Sequence, residues 1–386
     1  MQRPAADGSG PAWRTAAGYV KPPKTMRVLQ VTYSYKPLRG GADVYADDLA
    51  RLLRARGHEA WVLQKPPPPE GDPFVVCYPR AFSVVQPFWV LPVSLPLIAG
   101  RLRRYEVLVC HYPNYCLPAL WHPRVVGLSH GVTWDDRPAA LRSRVKRAWA
   151  QWAFRRCAKF VANDTFFLRQ MGLQIRPGQK LFSEVAPGRW YVPNAVNTQG
   201  FCPGPPSPEA EKLRPFVLVP RNIYWNRGVH LAIEALARLG PQAHGERLVV
   251  VGAEGQPEAV AAAKEAVARN SLNDRVIFAG PRPREALVGW YRAADATLIP
   301  SLCGEGTSLA ALESMACGTP VVSTNAGGLT DLPCVHASPD AQALADAINY
   351  VLANRQEEAQ RQLDAVRRDF TLQRWGDTWA TILEEW

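Results

Sequence analysis

The chain has 386 residues, 47% of them apolar, with a formal net charge of +11 and a mean hydropathy of -0.17. These values exclude a disordered or membrane-embedded protein and predict two globular domains of ordinary size. The first 25 residues lack the apolar run of a signal peptide, so residues 1–25 are expected to form a flexible tail. Eight scattered cysteines without a Cys-x-x-Cys pair indicate reduced thiols and a cytoplasmic protein.

The N-terminal half begins with a pattern of strand, glycine loop, helix and strand. An apolar, β-branched run at 26–35 predicts a buried strand, and the helix after it has apolar residues at spacings of three and four up to Gly57. The sequence EAWVLQ predicts the second strand, which completes the opening βαβ unit of a parallel, doubly wound sheet. Two further strands, at 105–113 and 124–131, each carry a histidine near the carboxyl end, where open α/β sheets bind ligands.

Residues 84–100 form an apolar-rich segment that is followed by three arginines. The segment is short for a membrane-spanning helix, and Pro87, Pro92 and Pro96 would interrupt one. It is therefore expected to form either a buried helix or a hydrophobic lip on the surface.

The positive charge is concentrated between Arg137 and Lys180, where eleven residues are basic and one, Asp164, is acidic. Within this segment, 141–160 predicts an amphipathic helix. Such a helix fits an anionic membrane surface or a domain helix with solvated charges, and the two interpretations are compatible. Nucleic acid is the rival partner, but no recognised binding module accompanies the charge, so we expect no nucleic-acid partner. The apolar face of the helix is expected to carry Leu141, Val145, Ala148, Trp149 and Trp152.

A Pro- and Gly-rich stretch at 201–215 predicts a linker, and a second series of alternating strands and helices follows it. Two Rossmann-like domains that face each other across a cleft are therefore expected, at 26–200 and 201–369. The closing segment, 370–386, has aromatic residues at helical spacing and is expected to pack on another element.

The sequence SLCGEGTSLAALESMACGTPVVST, residues 301–324, contains two glutamates eight positions apart. A helix is predicted here with Thr307 or Ser308 as its N-cap, and its first turn offers N–H groups to a phosphate or to sugar hydroxyls. Glu305 precedes the helix and Glu313 lies on its flank, so the two carboxylates are expected to contact different parts of one elongated ligand. A solvated Glu313 is the alternative, and the apolar residues around it argue against that.

Two arginines, Arg221 and Arg227, follow the first strand of the second series in the sequence PRNIYWNRG. Guanidinium groups supply the fixed charge and forked donors that a pyrophosphate needs, although loop arginines are also commonly plain surface residues. No metal site is predicted, because no Asp-x-Asp pair stands out. Cys110, His111 and Cys116 could supply three metal ligands, but no fourth ligand lies at a useful spacing, which favours packing roles for them.

Several segments together resemble the family 4 retaining glycosyltransferases of the GT-B fold. Four segments resemble the donor-binding half of these enzymes: PRNIYWNRGVHLAIEAL, VVVGAEG, VIFAGPRPREALVGWYRAADATLIPS and EGTSLAALESMACGTPVVSTNAGGLTDL. Two more, GGADVYADDLARLLRARGHEAWVL and YVPNAVNTQGF, resemble other segments of the family. The resemblance runs from about Met26 to the C-terminus, and its most specific part is the spaced pair of glutamates with the following GTPVV. It implies that the final helix crosses back onto the N-terminal domain.

The resemblance also implies roles for individual residues. Arg221 and Arg227 would hold the donor's diphosphate and stabilise the leaving group, while Glu305 and His130 would lie at the reacting sugar. Glu313 would bind the ribose hydroxyls. The other donor-binding residues implied are Gly41, Gly306, Thr307 and Ser308 near the sugar and diphosphate, and Gly280, Pro281 and Arg282 at the base.

Four motif positions depart from the family pattern. Arg227 stands where lysine is usual, Asp331 stands where glutamate is commoner, and NAVN replaces the usual NGVD. Charge is preserved at Arg227 and Asp331, so activity is expected to survive. The usual EGFG reads EGTS, and Thr307 and Ser308 are the expected place for the choice of sugar.

Cleavage of a glycosyl–phosphate bond develops negative charge on the leaving diphosphate, which arginines and helix N–H groups stabilise. The sequence therefore predicts a nucleotide-sugar-dependent glycosyltransferase without a metal or other cofactor, and the resemblance implies retention. The expected acceptor is a glycan, lipid-linked, in cell-surface polysaccharide or glycolipid synthesis. The expected location is the cytoplasm, peripheral at the inner face of the cell membrane. The alternatives are another enzyme on this fold, such as a nucleotide-sugar epimerase, and a non-catalytic module that binds nucleotide sugars or membranes.

Overall fold

The computed structural model describes residues 25–38, 40–80, 94–136, 138–176, 178–239 and 246–386. Within these ranges the chain forms two β-sheets, each with helices packed on it, which confirms the α/β class with two Rossmann-like domains. The predicted tail, apart from Thr25, and residues 84–93 of the apolar segment lie outside the described residues.

The first sheet contains eight strands of the described chain: β1 (Arg27–Val31), β2 (Glu59–Gln64), β3 (Val75–Cys77), β4 (Val107–Cys110), β5 (Val125–Ser129), β6 (Lys159–Ala162), β7 (Ser183–Ala186) and β8 (Arg189–Tyr191). Their order is β3-β2-β1-β4-β5-β6-β8-β7, and β7 and β8 form the antiparallel pair. The central strands β4 and β5 are buried throughout, as strands covered by helices on both faces must be.

The second sheet contains six strands of the described chain: β9 (Phe216–Val219), β10 (Arg247–Val250), β11 (Val276–Phe278), β12 (Ala296–Ile299), β13 (Val321–Thr324) and β14 (Val335–Ala337). Their order is β11-β10-β9-β12-β13-β14, and all neighbours are parallel. In this sheet β10 and β12 lie on opposite sides of β9, just as β2 and β4 lie on opposite sides of β1 in the first sheet, so each sheet has a topological switch point. Ligands bind at the carboxyl ends of strands beside such a switch point.

The described α-helices are α1 (Gly41–Ala55), α2 (Ala99–Leu102), α3 (Leu141–Arg156), α4 (Thr165–Gln170), α5 (Pro208–Glu211), α6 (Val229–Arg238), α7 (Pro257–Arg269), α8 (Arg284–Ala293), α9 (Leu309–Ala316), α10 (Ala341–Ala353), α11 (Arg355–Asp369) and α12 (Leu372–Glu384). Short 3-10 turns cover Pro96–Ile98, Pro113–Tyr115, Leu117–Leu120, Trp225–Arg227 and Gly327–Asp331. The predicted helix after Glu305 is α9. Its N-cap is Ser308, whose hydroxyl accepts the N–H of Ala311.

The last helix, α12, packs on the first domain, which confirms the predicted crossing. Trp375 and Trp379 are buried in one core with residues of β1 and α1. The indole Nε1 of Trp379 donates a hydrogen bond of 2.8 Å to the hydroxyl of Tyr45 on α1. A Cβ placed on Gly376 would lie 2.7 Å from Leu52 Cδ1, so glycine permits the close approach of the two helices.

The basic helix α3 packs through a different face from the one its sequence suggests. Its buried residues are Ser143, Ala150, Ala153 and Phe154, whereas Leu141 is 75% exposed and Ala148 is also exposed. The expected apolar face is thus turned partly to solvent, and the helix packs through its opposite face, in part on the turns Pro113–Tyr115 and Leu117–Leu120. No helix among the described residues is long and apolar enough to cross a membrane.

Candidate active site

The carboxyl ends of β9 and β12 bring Glu305 together with both predicted arginines. Arg221 Nη2 donates to Glu305 Oε1 at 3.2 Å, and Arg227 Nη1 donates to Oε2, which also accepts the hydroxyl of Ser301 at 2.9 Å. Burial alone would raise the pKa of Glu305, but the two guanidinium groups outweigh burial and lower it. Glu305 is therefore an ionised, buried carboxylate between two cations.

Arg221 has donors beyond those that Glu305 occupies. Its Nη2 also lies 3.2 Å from the hydroxyl of Ser308, at the mouth of α9. Its Nε is buried and has no hydrogen-bond partner within the described part of the chain. A buried guanidinium with an unused N–H group is suited to an additional anionic acceptor, because leaving that donor unpaired is costly.

The loop that contains His130 lies directly against the Glu305 loop. A Cβ placed on Gly131, whose φ is +110°, would lie 2.7 Å from Gly306 N and 2.9 Å from the carbonyl carbon of Glu305. Only glycine allows both this backbone conformation and this contact. The two predicted sugar-binding loops, one from each domain, therefore meet across the cleft.

His130 itself is half-buried at the end of β5. The rings of Tyr45 and Tyr112 lie edge-on to it, with centroids at 5.0 and 5.5 Å. Burial lowers the pKa of His130 to about 3, so the imidazole is neutral at physiological pH.

Thr307 uses its side chain to join the two domains. Its hydroxyl accepts the backbone N–H of Asn194 at 2.8 Å and donates to the carbonyl of Asn163 at 3.0 Å. The side-chain amide of Asn194 also donates to the Thr307 carbonyl. Of the pair Thr307 and Ser308, the serine is therefore the one whose hydroxyl contacts Arg221.

Glu313 is buried in the second domain, which excludes the alternative of a solvated helix residue. Arg284 Nε donates to its Oε1 at 2.7 Å, and the hydroxyl of Tyr291 donates to its Oε2 at 3.1 Å. Burial raises the pKa of Glu313, although Arg284 opposes the increase. Arg284 also interacts electrostatically with Asp48 of α1, so this cluster faces the first domain as well.

The N-termini of two helices from different domains converge at Gly41. This glycine is the first residue of α1, and a Cβ on it would lie 3.6 Å from Leu309 Cδ1, at the start of α9. Each helix N-terminus carries unpaired N–H groups and a partial positive charge. Their convergence creates a positive region next to Arg221 and suits a phosphate group.

The predicted base-binding residues lie at the carboxyl edge of β11. Gly280 has a φ of +74°, and its carbonyl accepts the N–H of Gly252 at 3.1 Å. Arg282 forms an ion pair of 2.6 Å with Glu209 and stacks over the ring of Trp290. Gly280, Pro281 and Arg282 thus belong to the same sheet edge as Glu305, two strands beyond β9.

Several residues of the site were not predicted from sequence. Arg284 and Tyr291 lie on α8, whose pattern indicates only an amphipathic helix. His111 follows β4, and its position at a carboxyl strand end was the available signal. Its candidate metal partners, Cys110 and Cys116, are free thiols packed in the hydrophobic core. In the described chain, no group of three or more His, Cys, Asp or Glu side chains is arranged to hold a metal ion.

Comparisons with known proteins define the class. The profile of the glycosyl transferases group 1 matches residues 205–368, and that of glycosyltransferase family 4 matches residues 39–177. The D-inositol 3-phosphate glycosyltransferase of Acidothermus cellulolyticus is 38% identical over 361 residues, which cover 82% of this chain and 79% of that protein. The chain therefore belongs to the family 4, group 1 glycosyltransferases and is a nucleotide-sugar-dependent glycosyltransferase.

More distant proteins are similar to this chain over most of their length. The phosphatidyl-myo-inositol mannosyltransferase of Mycobacterium leprae is 26% identical over 352 residues, which cover 85% of this chain and 89% of that protein. Sucrose-phosphate synthase from Thermosynechococcus elongatus has a TM-score of 0.77 at 18% identity, with 93% of this chain and 98% of that chain covered. Anabaena HepE in complex with UDP and glucose has a TM-score of 0.70 at 21% identity, with 94% of this chain and 100% of that chain covered. These neighbours show that the fold is GT-B.

Proposed function

We propose that this enzyme transfers a sugar, with retention of configuration, from a nucleoside-diphosphate sugar to a lipid-linked glycan acceptor in glycolipid or cell-surface polysaccharide synthesis. The observation that carries the proposal is the contact between the His130–Gly131 loop and Glu305, which two arginines flank. In this scheme residues 26–200 bind the acceptor, residues 201–369 bind the donor, and 370–386 return to the first domain.

The leaving diphosphate would be stabilised by fixed positive charge. Arg221 and Arg227 supply two guanidinium groups, and the N-termini of α1 and α9 supply backbone N–H groups beside them. Such groups are oriented before the reaction and stabilise charge that develops on the leaving oxygen. This arrangement supports catalysis without a metal ion.

The state of Glu305 bears on the route by which configuration would be retained. Both of its carboxylate oxygens accept hydrogen bonds from guanidinium groups, and the pKa of Glu305 is lowered, so the carboxylate is a weak base whose lone pairs take part in these bonds. A carboxylate held in this way is a poor nucleophile toward the sugar. We therefore favour attack by the acceptor on the same face from which the diphosphate departs over a covalent glycosyl-enzyme.

Glu313 is proposed to bind the ribose hydroxyls, and residues 280–282 are proposed to line the base. Arg284 and Tyr291 would hold the Glu313 carboxylate in place by their two hydrogen bonds. Since HepE binds UDP and glucose in its crystal structure, UDP is the first nucleotide to test.

The lipid-linked acceptor is supported by the surface of α3 and by the named relatives. Arg144, Arg147 and Arg155 are exposed on this helix, beside the half-buried Trp152. Exposed arginines next to a tryptophan suit an anionic lipid surface. One relative is a phosphatidyl-myo-inositol mannosyltransferase, and another, from Arabidopsis thaliana, belongs to a phosphatidylinositol N-acetylglucosaminyltransferase. We propose a cytoplasmic enzyme that associates peripherally with the membrane.

The catalytic proposal is tested with a panel of nucleotide sugars and glycolipid extracts. Transfer is measured by mass spectrometry of the product and its configuration by NMR. Glu305→Ala and Arg221→Ala are expected to lower the rate at least ~100-fold, as for loss of a residue that stabilises transition-state charge. Glu265→Ala, an exposed glutamate on α7, is the control.

Three results would contradict the catalytic proposal. Undiminished rates in both variants would exclude the roles of Glu305 and Arg221. Conversion of the nucleotide sugar into another nucleotide sugar in the absence of an acceptor would indicate an epimerase. Nucleotide-dependent stabilisation without turnover of any donor would indicate a non-catalytic module.

The membrane proposal is tested by co-sedimentation with liposomes of anionic or neutral phospholipids. The triple variant Arg144→Glu, Arg147→Glu, Arg155→Glu is expected to lose binding to anionic liposomes. A control with the same change of charge on the second domain replaces Arg238, Lys264 and Arg269, which are exposed, by glutamate. Equal binding of the wild type to both kinds of liposome would contradict an anionic membrane partner.

A further inference from the structure

A chain of hydrogen bonds connects the backbone of α1 to the imidazole of His130. The carbonyl of Ala46 accepts the side-chain amide Nε2 of Gln30 at 2.9 Å. Gln30 Oε1 lies 2.8 Å from His111 Nε2, and His111 Nδ1 lies 3.1 Å from His130 Nε2. Gln30 and His111 are completely buried, so water does not compete for the bonds that link Ala46, Gln30 and His111.

The donors and acceptors in this chain determine where each hydrogen lies. A carbonyl oxygen can only accept, so the amide of Gln30 must direct its NH2 group to Ala46 and its oxygen to His111. That oxygen can also only accept, so His111 Nε2 must carry a hydrogen. A neutral imidazole has one N–H group, which leaves His111 Nδ1 as an acceptor for the N–H at His130 Nε2.

Neutrality of both imidazoles follows from their environment. Burial lowers the pKa of His111 well below its ordinary value, and the neighbouring His130 lowers it further. Burial lowers the pKa of His130 to about 3. The two ring planes are inclined by 24°, which is close to the coplanar geometry of an N–H···N bond between imidazoles.

We infer that His111 and Gln30 are positioning residues that hold His130 as the Nε2–H tautomer, so that its Nδ1 accepts a hydrogen bond from a substrate hydroxyl. The tautomer follows from the hydrogen-bond chain together with the neutrality of the two rings, while its use on substrate rests on the proposed position of His130 at the reacting sugar. An unprotonated Nδ1 cannot donate to the leaving oxygen. It selects a sugar or acceptor group that carries a hydrogen, such as a hydroxyl.

The tautomer is measured by two-bond 1H–15N correlation NMR of the full-length protein labelled with [15N]histidine and without substrate. His130 is assigned by comparison with His130→Gln. His122 provides an internal reference, because its Nε2 lies 3.0 Å from the carbonyl of Tyr105 and its Nδ1 accepts the N–H of Arg124. The Nε2–H form of His130 is expected in the wild type, and an Nδ1–H form or a protonated ring would overturn the inference.

Two substitutions at His111 separate positioning from a merely structural role. His111→Asn offers an acceptor near the Nδ1 position and is expected to keep the tautomer of His130, whereas His111→Phe fills the space without an acceptor and is expected to give a mixture. Loss of one hydrogen bond predicts a fall in kcat/KM of up to about tenfold in His111→Phe, with partial rescue in His111→Asn.

Gln30→Leu gives an independent test from the other end of the chain. It removes the acceptor of His111 Nε2, frees that ring to change its tautomer, and is expected to give mixed signals for both histidines. An unchanged His130 tautomer in Gln30→Leu and His111→Phe would overturn the positioning role. A mixed tautomer with unchanged kcat/KM would overturn the use of Nδ1 on substrate, and a protein that transfers no sugar at all would instead contradict the proposed function.

Discussion

The carboxylate of Asp331 in the second domain accepts two hydrogen bonds from Thr165 in the first domain, one from the backbone N–H at 2.6 Å and one from the hydroxyl at 2.5 Å. The hydroxyl of Tyr191 adds a third at 3.0 Å. Asp331 stands where the family more often has glutamate, and its shorter side chain still reaches across the interface. The contact holds the first domain against the Gly327–Asp331 turn and, through it, against the Glu305 loop.

Asp331→Ala is expected to lower the free energy of unfolding by about 2 kcal/mol, because buried donors of Thr165 and Tyr191 lose their acceptor. A double-mutant cycle with Thr165→Val measures the interaction free energy between the side chains of Asp331 and Thr165. Urea unfolding provides the free energies, and Asp346→Ala, which removes an exposed carboxylate bonded to Gln342, is the control. Additive effects of the two substitutions would show that the pair does not couple the domains.

Asp164 predicts a dependence of stability on pH. It is the N-cap of α4 and accepts the N–H of Phe167, but its Oδ2 is buried without a hydrogen-bond partner in the described chain. Burial, aided by the charge of Asp331, raises the pKa of Asp164 to about 8. The folded protein therefore binds a proton that the unfolded chain releases near pH 4.

Because the folded pKa is raised, the contribution of Asp164 to stability is largest at low pH and declines as pH rises from about 4 to 8. Asp164→Asn keeps a good N-cap and removes the titration. Relative to Asp164→Asn, the wild type is expected to lose about 1.4 kcal/mol of unfolding free energy per pH unit in this interval. Unfolding curves at several pH values measure the difference, and a constant difference would contradict the raised pKa.

Glu305→Gln is expected to destabilise the protein because it removes the negative partner of the buried Arg221 and of Arg227. Loss of one member of a buried ion pair costs about 3–5 kcal/mol. An anionic nucleotide is expected to restore part of this stability, so the rise in Tm on adding UDP should be larger in Glu305→Gln than in the wild type. Thermal unfolding measures both effects, with Glu265→Gln as the exposed control. Equal shifts in the variant and the wild type would argue against a shared anion site.

Gly131→Ala is expected to separate the two loops that meet at the cleft. The new Cβ would lie within 3 Å of the backbone of Gly306 and Glu305, so one loop must move. Gly57→Ala is the matched control, because Gly57 also has a positive φ, +83°, but a Cβ placed on it would have no other atom within 4 Å. Both variants carry backbone strain of about 1–2 kcal/mol. The rate of sugar transfer is expected to fall further in Gly131→Ala than in Gly57→Ala, and this difference measures the importance of the contact between the two loops. Equal activity in both variants would contradict a role for that contact.

Sequence patterns were sufficient for the fold and for singling out Arg221, Arg227, Glu305 and Glu313 as candidate site residues. Buried strands and amphipathic helices have local periodicity, so the two sheets could be predicted from alternating patterns. The N-cap at Ser308 and the burial of Glu313 also follow from neighbouring residues, because capping and apolar surroundings are local properties. The resemblance added the crossing of α12 and the candidate roles of His130, Gly41, Gly306 and residues 280–282, which no local pattern specifies.

The sequence by itself determined which residues lie at the carboxyl ends of the strands, since short apolar runs predict where each strand begins and ends. Only the tertiary structure decided which of these residues meet. Glu305 binds Arg221 and Arg227, Thr307 binds Asn163 and Asn194, and His111 orients His130. The residues of each contact are separated by between 19 and 144 positions, and such contacts depend on how two sheets and two domains pack, which local periodicity does not encode.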